Sequence, residues 1–203
     1  MVYQHSTHMR KIETLRNSIN EYKLDILGLA EVNRNWYEIE DSHRWRQRTQ
    51  HWWEAVHHSE AFNKHDVTSS AFQPGGVSLM SFNKTAHRVI ERGEDPSGLG
   101  RWCYIVYRCK NGTNLRVISL YRCCKPSSPG PSTVYMQQKQ YHDAKKDERD
   151  PRNSVLQDLN QQMEQWTMDN GKIVILADMN SNINSNMSTT WCSTYNLTEI
   201  ITY

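Results

Sequence analysis

Two short apolar runs, at residues 24–30 and 172–177, limit what this chain can fold into more than any other feature. Nearly every side chain in both runs is apolar, so a strand formed from either one needs cover on both of its faces. Neither run approaches the roughly 18–20 consecutive apolar residues that cross a bilayer. The two runs therefore predict buried strands in a layered α/β or α+β sandwich.

Helical spacing of apolar residues appears beside both runs. It predicts an amphipathic helix over residues 8–23 and a second helix that begins at Asp150 and is stopped by Asn170. Ser188 is predicted to cap a last short helix that continues through Leu197. Helices and two-faced strands therefore alternate along the chain.

The middle of the chain carries the strongest β signals. Residues 77–82 are bounded by turn residues, and a tight-turn Asn-Gly pair separates two β-rich runs, 102–109 and 115–121, which predicts a hairpin. Three other stretches have no clean strand pattern. We expect irregular loops with room for a short helix or hairpin at 34–73, a loop at 91–100 and a solvated charge run at 139–152.

A chain of 203 residues and 23.9 kDa suits one domain. Its 24 Lys and Arg against 22 Asp and Glu give a net charge of +2, which excludes a polybasic tail protein. Seven Trp and ten Tyr supply the large apolar surfaces that disordered chains lack. The five cysteines are irregularly spaced, which favours free thiols. Without a secretory signal, we expect an intracellular protein, either nuclear or cytoplasmic.

Both apolar runs end in the same chemical pattern. Glu31 and Asn33 follow the first run, and Asp178 and Asn180 follow the second, each pair separated by one residue. A carboxylate at the end of a buried strand is held rigidly at the edge of a sheet, where it can bind a hard cation or face a phosphate. The alternative is a strand-ending Asp or Glu that caps the next turn, and the residue types alone leave both readings open.

Five segments resemble, in their order along the chain, the endonuclease/exonuclease/phosphatase superfamily: Asp25 to Glu31, Gly75 to Leu79, Gly100 to Trp102, Val117 to Arg122 and Ile175 to Asn180. The resemblance covers residues 10–200. It implies an α/β fold, the four-layered DNase I-like sandwich in an incomplete form. It also implies a metal-dependent site at one sheet edge that cleaves phosphodiesters or phosphomonoesters.

The same resemblance implies roles for five residues. Glu31 would be the carboxylate ligand of Mg²⁺, for which Mn²⁺ could substitute. Asp178 would orient or deprotonate the attacking water, and Asn180 would hold the phosphate or help to position Asp178. Tyr121 would place its hydroxyl on the phosphate, and Arg101 would add a cationic contact. Phosphoryl transfer needs mainly charge neutralisation and alignment, which a hard cation with fixed oxygen ligands supplies.

Residues 31–36 and 91–102 are similar to the branch of this superfamily found in retroelement-like reading frames. The similarity implies a DNA-nicking endonuclease whose partner is nucleic acid and not a membrane, with the oligomeric state left open. Two alternatives stand beside it. One is a phosphatase or sphingomyelinase-like enzyme that acts on lipid or inositol phosphates, and the other is a non-catalytic remnant of the domain.

The sequence departs from the superfamily pattern at both ends. The family's first strand carries an Asn that has no counterpart before the predicted first helix, and its last strands carry an Asp-His pair beyond the equivalent of Tyr203. We therefore expect residues 1–203 to form a single domain that lacks the family's C-terminal strands. We also expect this chain to be nearly inactive and only marginally stable alone.

Two further clusters of residues are candidates for binding sites. One cluster alternates cations with aromatic rings, as proteins that bind single-stranded nucleic acid do: it runs from Arg44 to Arg48 and is followed by Trp52 and Trp53. The alternative is a loop whose tryptophans pack on the sandwich while its arginines are solvated. Four histidines lack Cys or Glu at zinc spacing, so we expect no zinc site at His51, His57, His58 and His65.

Overall fold

The computed structural model describes residues 2–40, 47, 49–65, 72–125, 133–167, 171–182 and 185–200. Its strands are β1 Ile26–Ala30, β2 Val56–Ala61, β3 Val77–Phe82, β4 Val89–Glu94, β5 Trp102–Arg108, β6 Asn114–Tyr121 and β7 Lys172–Asp178. Its helices are α1 Val2–Glu21, α2 Asn83–Ala86, α3 Val134–Ala144, α4 Pro151–Thr167 and α5 Asn186–Thr194. Among the described helices, none is long and apolar enough to cross a membrane.

The strands form two sheets. The smaller sheet has the order β1-β3-β2 and is antiparallel, and the larger has the order β4-β5-β6-β7. In the larger sheet β6 and β7 run parallel, and α3 and α4 make the crossover between them that a parallel pair requires. The carboxyl ends of β6 and β7 therefore lie at the same edge.

The two sheets pack face to face, and helices cover their outer faces. Leu79 and Val117, from opposite sheets, meet in the core between them. On the outer face of the larger sheet Leu159 of α4 packs with Ile118, and side chains of α5 join the same cluster. On the outer face of the smaller sheet Ile19 of α1 is buried. The four-layered α/β sandwich that was expected is therefore confirmed.

The predicted hairpin is confirmed as β5 and β6, which pair antiparallel along their whole length. Val117 and Tyr121 face the core between the sheets, whereas Ile118 and Leu120 face α4, as the alternation predicted. The connection is a 3₁₀ turn, Lys110–Gly112.

Gly28 lets the two sheets meet at short range. A Cβ at this position would lie 3.0 Å from Leu176 Cδ1 and 3.3 Å from Ser119 Oγ. The Ser119 hydroxyl also donates a hydrogen bond to Leu29 O, 3.4 Å away. β1 thus lies against β6 and β7 although it belongs to the other sheet.

The two apolar runs form edge strands instead of buried central strands. Within the described residues β1 pairs with β3 alone and β7 with β6 alone. All five residues of β1 are half-buried, and Leu176 in β7 is 36% exposed. The expectation of full burial is therefore wrong for both strands, because in the described part of the chain each has a neighbour on one side.

Three other boundaries differ from the sequence prediction. Residues 91–94, expected in a loop, belong to the edge strand β4, whose charged side chains conceal the strand pattern and are typical of sheet edges. Residues 139–144 of the charge run lie in α3. The cap of α5 is Ser185 and not Ser188, because the Ser185 hydroxyl accepts a hydrogen bond from the backbone nitrogen of Ser188.

The irregular stretch at 34–73 contains β2 and the packed side chain of Trp53. Trp53 Nε1 donates to Asn20 Oδ1 at 2.9 Å, and its ring centroid lies 4.5 Å from that of Phe82. This arrangement favours the packed reading for Trp53. The arginines of the basic motif lie outside the described residues.

Candidate active site

The parallel pairing of β6 and β7 places Tyr121 beside Asp178. These residues are register partners at the carboxyl ends of their strands, so their backbones are about 4.8 Å apart. The backbone nitrogen of Arg122 donates to Asp178 O at 2.9 Å and extends the ladder by one bond. Tyr121 is buried in the inner core, whereas Asp178 is exposed at the sheet edge.

The Tyr121 hydroxyl connects the two sheets. It donates a hydrogen bond of 2.5 Å to Oε1 of Glu31, the first residue after β1. Burial raises the pKa of Tyr121, and the bond to Glu31 raises it further. The hydroxyl therefore remains protonated and acts as a donor to the carboxylate.

The backbone turns sharply after both β1 and β7. Glu31, Asn33 and Asn180 have φ values of 51°, 55° and 44°, in the left-handed region that residues other than glycine rarely adopt. Asparagine tolerates this region well, whereas a glutamate there is uncommon. Residues in such conformations cluster at functional sites.

Asn33 fixes the turn after β1. Its Oδ1 accepts a hydrogen bond from Gly75 N and its own backbone nitrogen donates to Gly75 O, both at 2.8 Å. Gly75 has a φ of +86°, and a Cβ there would meet Val134 at 3.0 Å, so the position needs glycine. Sequence reasoning missed this role, although Asn33 has the same spacing from Glu31 as Asn180 has from Asp178.

Asn180 fixes the corresponding turn after β7. Its backbone nitrogen donates to Asp178 Oδ1 at 3.2 Å, which restrains the carboxylate. Its Nδ2 donates to Arg122 O at 2.9 Å, which joins the turn to the end of β6. The structure thus brings four of the five predicted site residues to one edge: Glu31, Tyr121, Asp178 and Asn180.

Arg101 does not join this cluster. Its side chain is 1% exposed: Nε and Nη2 bond Asp95 at 2.6 and 3.0 Å, and Nη1 bonds Asp158 at 2.8 Å. Burial opposes the charge, but Asp95 and Asp158 outweigh it and raise the pKa of Arg101. The guanidinium also lies 4.7 Å from the Trp102 ring centroid. Its donors are therefore occupied by carboxylates rather than offered to a phosphate.

The oxygen donors at this edge suit a hard divalent cation. Glu31 and Asp178 are exposed carboxylates at strand ends, and Mg²⁺ is usually bound by one or two carboxylates together with water and substrate phosphates. The part of the chain that the structure describes contains no cluster of three or more His, Cys, Asp and Glu side chains able to hold a metal. The carboxylate oxygens of Glu31 and Asp178 are therefore donors of the type that Mg²⁺ prefers.

Ser154, His142 and Asp147 form a second group of catalytic residue types. His142 Nε2 lies 3.0 Å from Ser154 Oγ, and His142 Nδ1 lies 3.0 Å from Asp147 Oδ2, as in a Ser-His-Asp catalytic triad. Ser154 is fully buried, however, and its Oγ also donates to Pro151 O at 3.1 Å. The group therefore links the end of α3 to the first turn of α4 and offers no nucleophile to a substrate.

Two facing sheets with helices on their outer faces give the chain a DNase I-like fold. The chain is similar to the human Nocturnin catalytic domain with bound sulfate, with a TM-score of 0.58 and 13% identity over 92% of this chain and 62% of that one. A β-hairpin deletion mutant of beta toxin from Staphylococcus aureus has a TM-score of 0.51 and 14% identity, over 87% of this chain and 61% of that one. An endonuclease/exonuclease/phosphatase from Beutenbergia cavernae has a TM-score of 0.50 and 12% identity, over 90% of this chain and 47% of that one.

These likenesses show the fold. The chain spans about three fifths or less of the length of these structures. No protein-family model and no curated protein sequence matches it.

Proposed function

We propose that the chain is a Mg²⁺-dependent phosphoester hydrolase whose site is the edge that carries Glu31, Tyr121, Asp178 and Asn180. The observation that carries the proposal is the hydrogen bond from Tyr121 to Glu31, which joins the ends of the two sheets beside Asp178. The structurally similar Nocturnin domain holds a sulfate anion, which resembles phosphate in size and charge and supports a phosphate ligand here.

Each residue has a role that its position allows. Glu31 would hold Mg²⁺, or Mn²⁺ in its place; the bound cation supplies charge neutralisation at the phosphate. Tyr121 would orient Glu31 with its single hydroxyl proton, which is donated to that carboxylate and is therefore not offered to the phosphate. Asp178, restrained by the Asn180 backbone nitrogen, would accept a proton from water as the water oxygen bonds to phosphorus. The ester P–O bond breaks, and the leaving oxygen takes a proton from solvent.

Within this class we infer a DNA-nicking endonuclease of retroelement type. Two features support this substrate. Residues 31–36 and 91–102 are similar to that branch, and the net charge of +2 is compatible with contact to a phosphate backbone.

A non-catalytic role is the second candidate. One observation supports it: among the described residues, no third acidic or histidine side chain lies with Glu31 and Asp178 as a metal ligand.

A hydrolase of lipid or inositol phosphates is a further candidate. It would share the site chemistry of the nuclease and differ from it in substrate.

The test is a panel of supercoiled plasmid, sphingomyelin vesicles and an inositol phosphate, each with Mg²⁺, with Mn²⁺ or with excess chelator. We expect plasmid nicking that is slow, in keeping with the near inactivity expected from the sequence, and that needs the metal. Asp178→Asn should cut turnover at saturating metal by about 10²–10⁴-fold, the usual range for a lost acid/base group. Asp143→Asn is the matched control, because this exposed carboxylate on α3 pairs with Lys139 at 3.0 Å and should not affect turnover.

The panel separates the candidates. Faster hydrolysis of lipid or inositol phosphate than of plasmid would keep the hydrolase and remove the nuclease. The absence of metal-dependent hydrolysis of every substrate would leave the non-catalytic candidate. Equal turnover in wild type and Asp178→Asn would instead remove Asp178 from the proposed site.

A further inference from the structure

Two arginines hold the turn that follows β7, and we call them the arginine clasp. Arg122, the residue after β6, donates from Nη1 to Met179 O at 3.2 Å, and Arg152, in the first turn of α4, donates from Nη2 to Asn180 O at 2.9 Å. Arg122 Nε also donates to Arg152 O at 2.8 Å. Asn180 completes the unit through the bond from its Nδ2 to Arg122 O.

The electrostatics of the clasp are unfavourable for stability. Arg152 lies at the start of α4, where the helix dipole disfavours a positive charge. Arg122 is 5% exposed, and burial together with the charge of Arg152 lowers the pKa of Arg122. Among the described residues neither guanidinium forms an ion pair, whereas Arg101 and Arg149 both pair with Asp158.

Asp150 is a carboxylate whose charge acts on Arg122, but its oxygens bond other groups. Its Oδ1 accepts the backbone nitrogen of Arg152 at 2.8 Å, and its Oδ2 accepts the Tyr135 hydroxyl at 2.8 Å. Two positive charges thus lie close together, and among the described residues no carboxylate pairs with either guanidinium group. Departures of this kind from the rules of stability are expected at functional sites.

We propose that Arg122 and Arg152 are positioning residues of the phosphoester site, because they hold the turn that carries Asp178 and Asn180 in one geometry. This inference rests on the proposed function of that site. Backbone carbonyls at a strand end need donors once the ladder stops, and the clasp supplies them at Met179 and Asn180. It also supports the left-handed φ of 44° at Asn180.

Substitution by lysine separates geometry from charge. A guanidinium presents five donors in a rigid planar fork, whereas an ammonium is a compact point charge. Arg122 uses its fork to reach Met179 O and Arg152 O at once. If the clasp acts by position, lysine cannot replace arginine; if it acts by charge alone, lysine suffices.

The experiment compares wild type with Arg122→Lys, Arg152→Lys and Arg152→Ala in metal-dependent plasmid nicking. We expect kcat to fall about 10- to 100-fold in all three, as misplacement of catalytic groups by about 1 Å does, with little change of KM in the lysine variants. Arg92→Lys is the matched control. Arg92 in β4 donates from Nη1 to His58 O at 3.2 Å, so the substitution removes the same kind of bond away from the site.

A second measurement does not depend on turnover. In NMR, the side-chain amide protons of Asn180 should exchange slowly with solvent in wild type and faster in Arg152→Ala, because the clasp holds their bond to Arg122 O. A wild type that hydrolyses no substrate but shows this difference would remove the hydrolase and keep the clasp as the support of the turn.

Three results would overturn the inference. The first is a wild-type kcat in Arg122→Lys, because Arg122 is the arginine that bonds two carbonyls at once. The second is unchanged exchange of the Asn180 amide protons in Arg152→Ala. The third is a fractional loss of kcat in each variant that equals the fraction of that variant which thermal melting shows to be unfolded at the assay temperature.

Discussion

Replacing Arg101 with alanine should destabilise the protein and leave the site chemistry unchanged. The Arg101 and Asp95 side chains are 1% and 0% exposed and are joined by two hydrogen bonds. Removal of one partner leaves the other charge buried and unpaired, which costs about 3–5 kcal/mol. Total stability is roughly 5–15 kcal/mol, and 1 kcal/mol shifts Tm by about 2–4 °C in a chain of this size, so Tm should fall by about 6–20 °C.

Thermal melting followed by circular dichroism measures this loss, and the double variant Asp95→Leu/Arg101→Met is its control. The double variant removes both charges and keeps apolar volume, so it should regain a large part of the lost Tm. Hydrolysis by Arg101→Ala, assayed well below its Tm, should match wild type. An Arg101→Ala protein that melts within about 2 °C of wild type but has lost hydrolysis would refute this reasoning and return Arg101 to the phosphate.

Three further outcomes are expected. Glu31→Gln should raise the Mg²⁺ concentration for half-maximal hydrolysis at least roughly tenfold, since even lost outer-sphere partners cost that much; an unchanged requirement would exclude Glu31 as a ligand. Hydrogen bonds from Arg149 hold the pKa of Asp147 below its usual range, so the stabilisation is full above about pH 4 and is lost as the pH falls. The stability gap between wild type and Asp147→Asn in urea should therefore shrink in acid, and a constant gap would contradict this. Cys124 is exposed while burial raises the pKa of Cys123 to about 12, so iodoacetamide should label Cys124 first in peptide mass spectra, and equal labelling would be inconsistent with the structure.

Elements with a clear period could be predicted from the sequence. The helical spacing predicted over 150–170 is found as α4, Pro151–Thr167, and the hairpin signal at 102–121 gives β5 and β6. β4 could not be found in this way, because it lies at a sheet edge where Glu91 and Arg92 face solvent and replace the apolar alternation. A strand can thus be recognised from its residues only where the fold buries one of its faces.

The site needed more than periodicity. Repetition of the carboxylate-x-Asn pattern singles out Glu31 and Asp178, but their convergence with Tyr121 came from the family resemblance, because Glu31 and Tyr121 are 90 residues apart in the chain. The burial of Arg101 was not predictable either. One of its partners, Asp158, lies 57 residues further on, and a Gly-Arg-Trp sequence reads the same whether the arginine is buried or exposed.

The metal site is tested most directly by titrating isotope-labelled protein with Mn²⁺, because this paramagnetic ion broadens the NMR signals of nearby amides whether or not substrate turns over. Amides of residues 31–33, 121–122 and 178–180 should broaden first and should recover when Mg²⁺ is added in excess. Uniform broadening, or broadening that begins elsewhere in the chain, would contradict a divalent-cation site at the strand ends of Glu31 and Asp178.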